Sequence, residues 1–136
     1  MTYGRMLAQY RKTDVETAGR LDLVIMCYEN AIRFLKQAKG HYESHAFEEK
    51  ARALQKVFDI IGELKGALNI EKGQKIAINL NGIYDYLLRS LLEGDIRRDL
   101  NTFESAIRVM AELKEAWETI ASRSKEEAPL NQKIAA

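Results

Sequence analysis

Arg20–Tyr42 reads RLDLVIMCYENAIRFLKQAKGHY, and the spacing of its apolar residues decides the fold class. Leu21, Val24, Ile25, Tyr28, Ala31, Ile32, Leu35 and Ala38 step by three and four. On a 3.6-residue period that spacing is one buried helical face. A strand would alternate apolar and polar residues, and no useful length of this chain does so. A first helix is therefore predicted over residues 19–42, with Gly19 or Thr17 to cap its start and Gly40 near its end.

The same rhythm recurs downstream. Ser44 is the expected N-cap of a second helix over residues 45–69, with Glu48 and Glu49 in the early turns where carboxylates suit the dipole. Phe47, Ala51, Leu54, Phe58, Ile61 and Leu68 form one stripe, and Val57, Ile60, Leu64 and Ala67 form another beside it. Two stripes predict a helix that buries more than one side. A break at Asn69 to Gln74, carrying Gly73, leads to a third helix over residues 74–93. Ile76, Leu80, Ile83, Tyr84, Leu87 and Leu91 are its stripe, and Leu88 and Leu92 widen it. Gly94-Asp95 is expected to end it. Asp99 is placed to cap a fourth helix over residues 99–122, with Phe103, Ile107, Met110 and Trp117 on one face. Four helices of this length with short connections predict an all-α, antiparallel up-down four-helix bundle. Phe58, Leu80, Leu87, Ile107 and Trp117 are expected in its core.

At 136 residues the chain is the size of one domain. Its 46% hydrophobic content supports a core and is too high for a disordered chain. Lys and Arg number 21 against 20 Asp and Glu, so no bulk field favours nucleic acid or an anionic membrane. No stretch approaches the ~18 apolar residues of a membrane span, and the start has no apolar run of signal-peptide length. Cys27 is the single cysteine, which excludes an intrachain disulfide and fits a reducing compartment. The protein is expected in the cytosol.

A search for chemistry returns little. His41 and His45 are spaced i, i+4, a spacing that can serve a metal on a continuous helix. They straddle a helix break, however, and no cysteine or carboxylate motif accompanies them. No glutamate precedes either histidine by three residues, as di-metal bundles require. Cys27 lies in the apolar run Met26-Cys27-Tyr28 and reads as a small hydrophobe. No catalytic residue, metal site or cofactor is expected. Gly62 and Gly66 lie inside a helical pattern, where each costs up to about 1 kcal/mol against alanine. Close helix packing or a groove for a partner helix would account for them.

Two stretches carry a resemblance. In Tyr10–Lys36, YRKTDVETAGRLDLVIMCYENAIRFLK, residues Tyr10, Val15, Ala18, Leu23, Met26, Tyr28, Phe34 and Leu35 stand in the register of a known pattern. In Leu68–Asp99, LNIEKGQKIAINLNGIYDYLLRSLLEGDIRRD, residues Leu68, Asn69, Gly73, Ile76, Ala77, Asn79, Leu80, Tyr84 and Tyr86 do the same, and Trp117 follows late in the last helix. The chain resembles the flagellin-specific export chaperones of bacteria, the FliS family. It departs from the pattern at Gly19-Arg20 in place of Ser-Pro, at Asn30 in place of glycine, and at Gln74 in place of the second glycine of a pair. The resemblance implies a helical bundle that binds the disordered C-terminal segment of flagellin as short helices in hydrophobic grooves. It implies that premature polymerisation is blocked and the subunit kept ready for the flagellar type III export gate.

The expected partner surface follows from both readings. Val57, Ile60 and Leu64 are offset from the second helix's core stripe and are predicted to line a groove; Tyr84 and Leu88 of the third helix are assigned to the same surface. Leu7 and Tyr10 are one helical step apart in an apolar start that forms no complete helix. Family resemblance implies that this leading segment lies against a groove and takes part in flagellin binding. The chain divides into a segment 1–15 that docks as a lid or meets the partner, a bundle 16–123, and a flexible tail 124–136. Export-gate components and other flagellar proteins are further partners to expect. The competing reading is a self-associating structural bundle, a weak homo-oligomer whose extra stripes bury against a second copy.

Overall fold

The computed structural model describes residues 17–135, with side-chain burial defined over 19–123. Four helices fill it: α1 (Thr17–Glu43), α2 (Phe47–Gly66), α3 (Ile70–Arg97) and α4 (Leu100–Ala135). Among the described residues there is no strand. The connections span residues 44–46, 67–69 and 98–99, too short for anything but a reversal between neighbours. Cross-helix pairs fix the directions. Lys50 and Lys65 of α2 meet Asp95 and Asp85 of α3, each at 2.7 Å, so rising numbers on one meet falling numbers on the other. α1 packs closely along α2 and α4, whereas α3 is held more loosely by the same two helices. α1 and α3 lie on the diagonal. The expected all-α up-down bundle is what the chain forms.

The core is built from one face of each helix. Tyr28, Ala31 and Leu35 of α1 meet Val57, Ile60 and Ile61 of α2, Leu87 and Leu91 of α3, and Phe103 and Met110 of α4, all essentially removed from water. Leu80 and Leu87 are buried as expected. Phe58, Ile107 and Trp117 are only half-buried at the margin of the core, a correction to the sequence reading. The buried arc of α2 is centred on Val57, Ile60, Ile61 and Leu64, which leaves Phe58 at its edge. Phe58→Ala should therefore cost about 1–3 kcal/mol, less than a sealed phenylalanine would. Chemical denaturation measures it, and a loss above about 4 kcal/mol would return Phe58 to the core.

Helix ends differ from expectation for local reasons. Ser44 does not cap α2: its hydroxyl donates back to the carbonyls of Gly40 and His41, closing α1 instead. α2 starts after Ala46 with no side-chain cap. Gly19 lies inside α1, not at its start. Asn69 begins a first turn of α3 before the predicted residue 74, its side chain accepting the Lys72 N–H at 3.1 Å. The non-helical Gln74 breaks that turn from the rest of α3, within the stretch where a break was predicted. Asp99 does cap α4, accepting from the Asn101 N–H at 3.0 Å. Gly94 does not end α3. It is a point of close approach, where a Cβ would stand 2.6 Å from the Thr102 side chain, and the turn comes at Arg98 in the left-handed region. α4 runs on to Ala135, through the segment expected as a tail.

Polar links tie the ends together. Lys50 reaches Asp95 in a partly buried ion pair, and the Tyr42 hydroxyl donates to the Asp95 carbonyl at 2.7 Å. Deeper in, the Tyr28 and Tyr84 hydroxyls bond across the α1–α3 diagonal, satisfying two phenols that burial would otherwise leave costly. Burial pushes the Tyr28 hydroxyl pKa up, partly opposed by hydrogen bonding from Tyr84 and Trp117. It pushes Tyr84 up as well, with Tyr28 reinforcing the shift. Burial raises the Cys27 thiol from 9.0 to about 11, Glu63 adding to it. At neutral pH it stays a protonated hydrophobe and is no nucleophile.

Candidate partner-binding site

α3 has more apolar residues than its buried face can use. Ala77, Leu80, Tyr84, Leu87 and Leu91 point into the core. Ile70, Ile76, Ile78, Tyr86, Leu92 and Ile96 remain at least half exposed, Ile76 at 71% and Ile96 at 75%. Among the described large hydrophobics elsewhere, Phe47 and Ile120 come nearest, at 41% and 45%. A solvated helix face would carry charge at such positions. Of these, Ile78, Leu92 and Ile96 share a face suited to a partner, while Ile76 turns toward the end of the bundle.

Ile78 and Ile96 lie about five turns apart and so point the same way, with Leu92 one turn before Ile96. Asp85, which meets Lys65, marks the α2 side of α3, and Leu88 is half-buried on that side. Across the seam, α2 presents half-buried Phe58 and, one turn on, Gly62. Nothing lies within 4 Å of a Cβ added at Gly62 or at Gly66, so these glycines do not serve close packing inside the bundle. The groove reading of the pair stands open. Gly62→Ala should raise stability by up to about 1 kcal/mol through helix propensity alone. A thermal melt tests this, and a loss of stability would mean that the position is already in contact.

A cavity of about 520 Å³ opens where α1 begins, α2 ends and α3 begins. Its walls are apolar, with Leu21, Val24, Leu64, Leu68, Ile76 and Trp117 among them, and Tyr84 lies at its inner side. Arg20 and Lys72 are the cations on its lining. Arg20, Leu21 and Val24 of this lining belong to the first turns of α1.

The residues expected to meet a partner separate in this structure. Val57 and Ile60 have no exposure and belong to the core, so they line no groove; the stripe set aside for the partner faces inward together with Leu54 and Ile61 of the expected core stripe. Leu64 and Tyr84 are buried yet form part of the cavity wall. Leu88 sits at the seam. Leu7 and Tyr10 lie outside the described residues. The sequence reading missed Ile78 and Ile96. For Ile78 the signal was present in its spacing, since it does not belong to the stripe of Leu80, Leu87 and Leu91; Ile96 lay beyond the predicted end of the helix. His41 and His45 do not converge on a site, and among the described residues no three His, Cys, Asp or Glu side chains could hold a metal ion together. No described helix is long and apolar enough to cross a membrane.

Antiparallel helices with an apolar outer face on one of them and an apolar cavity at one end define the class, an all-α bundle that offers apolar surface to solvent. The chain belongs to the FliS family of flagellar proteins, whose family model matches residues 3–124. It is similar to the flagellar secretion chaperone FliS of Salmonella typhimurium, 33% identical over 111 residues, which are 81% of this chain and 82% of that protein. The flagellar secretion chaperone FliS of Vibrio cholerae is 30% identical over 118 residues, 84% of this chain and 87% of that protein. FliSB of Pseudomonas aeruginosa is 27% identical over 121 residues, covering 86% and 96%. These relatives are named chaperones, not enzymes, and a flagellar secretion chaperone implies a flagellar substrate as its partner.

Proposed function

We propose that this protein is a cytosolic export chaperone that binds the disordered C-terminal segment of flagellin, prevents its premature polymerisation and supports delivery to the flagellar type III export apparatus. The observation that carries the reading is the row of exposed apolar residues on α3. A disordered segment gains structure only by burying apolar surface, typically about 1,000–3,000 Å² when it folds on binding. An amphipathic helix laid on a groove does this with anchors one and two turns apart. Leu92 and Ile96, one turn apart, with the Phe58–Leu88 seam beside them offer such a track. Ile78 lies on the same face about four turns away, and the end cavity takes a bulky apolar side chain. Export-gate components would meet the loaded complex rather than this surface. Co-purification of flagellin with the tagged chain tests the reading, and flagellin lacking its C-terminal segment should not be retained.

The leading segment is part of this proposal. Residues 1–15 precede α1, whose first turns line the cavity, and a leading segment docked there would keep apolar surface from aggregating. Leu7→Ala with Tyr10→Ala should weaken flagellin binding several-fold. Calorimetry with a flagellin peptide measures this, and unchanged affinity would leave the segment without a role. The exposed α3 face also favours a second reading, pairing with another copy of the chain. Light scattering separates the two, since a chaperone becomes a one-to-one complex with peptide whereas a self-associating bundle is already a dimer without it.

A further inference from the structure

Gln74 interrupts α3 with φ 47° and ψ −125°. That pair belongs to the first central residue of a type II′ turn, a position dominated by glycine and to a lesser degree asparagine; a longer side chain there is strained. The adjacent glycine does not use its freedom. Gly73 has no positive φ, and a Cβ added to it would stand 2.7 Å from the Ala77 Cβ. The small residue serves the close approach, and the long one takes the strained angle.

Such strain persists only where the surroundings enforce it. Here the Asn69 side chain accepts from Lys72 N–H at 3.1 Å, the Asn69 carbonyl accepts from Gly73 N–H at 2.8 Å, and Ala77 is buried beneath Gly73. Together these hold the turn Ile70–Gly73 in place. That turn is a wall of the end cavity: Asn69, Lys72 and Gly73 line it before the kink, Ile76 and Ala77 after it. The geometry points to Gln74 as a strained hinge, by which the turn 70–73 swings off the cavity and releases the strain in the open state. The hinge sets how readily an apolar side chain enters. It regulates the site of the proposed function, yet it requires only the cavity, and its readouts use the protein alone, so failure of one is distinct from failure of the other.

The test is a series in the full chain, Gln74→Gly, Gln74→Asn and Gln74→Ala. Glycine removes the strain and favours the closed turn, so its Tm should rise by roughly 3–8 °C. Amide exchange over residues 72–77 should slow by roughly 5–100-fold. Trp117, the single tryptophan and part of the cavity wall, should become less accessible to acrylamide quenching. Asparagine tolerates positive φ better than glutamine and should fall between, while alanine keeps the strain and should match the wild type. The ordering survives even if one variant folds poorly. An equal gain in the alanine variant would overturn the proposal, because the side chain and not the backbone would then be responsible. A stability gain with exchange and quenching unchanged would overturn it too, leaving strain without a hinge, as would no gain in either glycine or asparagine.

Discussion

Ile60→Glu is expected to abolish the folded bundle. Ile60 has no solvent exposure and packs among Val57, Ile61 and the α1 core. The substitution removes a sealed aliphatic side chain, worth about 2–5 kcal/mol in comparable truncations. It also buries a carboxyl group with no partner at hand, at several kcal/mol more even if the group stays protonated. The sum rivals the whole stability of a domain this size, about 5–15 kcal/mol. Circular dichroism should show no cooperative melt at 25 °C or above. A variant that melts within a few degrees of the wild type would place Ile60 on the surface and restore it to the partner groove.

The second large effect leaves the fold intact. Ile78→Asp combined with Ile96→Asp changes two exposed positions, at 57% and 75%, where substitutions usually move stability by no more than about 0.5 kcal/mol each. If both isoleucines anchor a docked flagellin helix, each loses about 2 kcal/mol of binding. Together that is a roughly 10²–10³-fold weaker complex. Calorimetry and a thermal melt on the same sample give both quantities. Unchanged affinity would remove this face from the account, and a large drop in Tm would show that the two residues support the fold.

The two substitutions also mark where the sequence was legible. The number of helices, their order and their up-down arrangement follow from apolar steps of three and four, because every helix here buries a face. Which of two adjacent stripes faces inward is not written in that spacing. On α2 the Phe58 stripe and the Ile60 stripe are neighbours, and the buried arc falls across both, taking Val57, Ile60 and Leu64 with Leu54 and Ile61 and leaving Phe58 at the margin. Gly94 misled in the same way: it has the look of a helix stop but is small because Thr102 presses against it. The break read at Asn69 to Gln74 is present, as the non-helical Gln74 that separates the turn begun by Asn69 from the rest of α3. Ile78 could have been found by asking which apolar residues of the third helix its core stripe leaves over; Ile96 could not, because reading Gly94-Asp95 as the stop left it outside that helix. The cavity could not, since its walls come from all four helices and exist only once they meet.

The central claim is that the outer face of α3 and the end cavity receive the C-terminal segment of flagellin. Titration calorimetry of that peptide into the full chain, repeated at several temperatures, addresses it most directly. The account predicts saturable one-to-one binding with a negative heat-capacity change, the mark of apolar burial, and peptide helicity that appears only in the complex. Absence of saturable binding would contradict it, as would binding whose heat-capacity change is near zero.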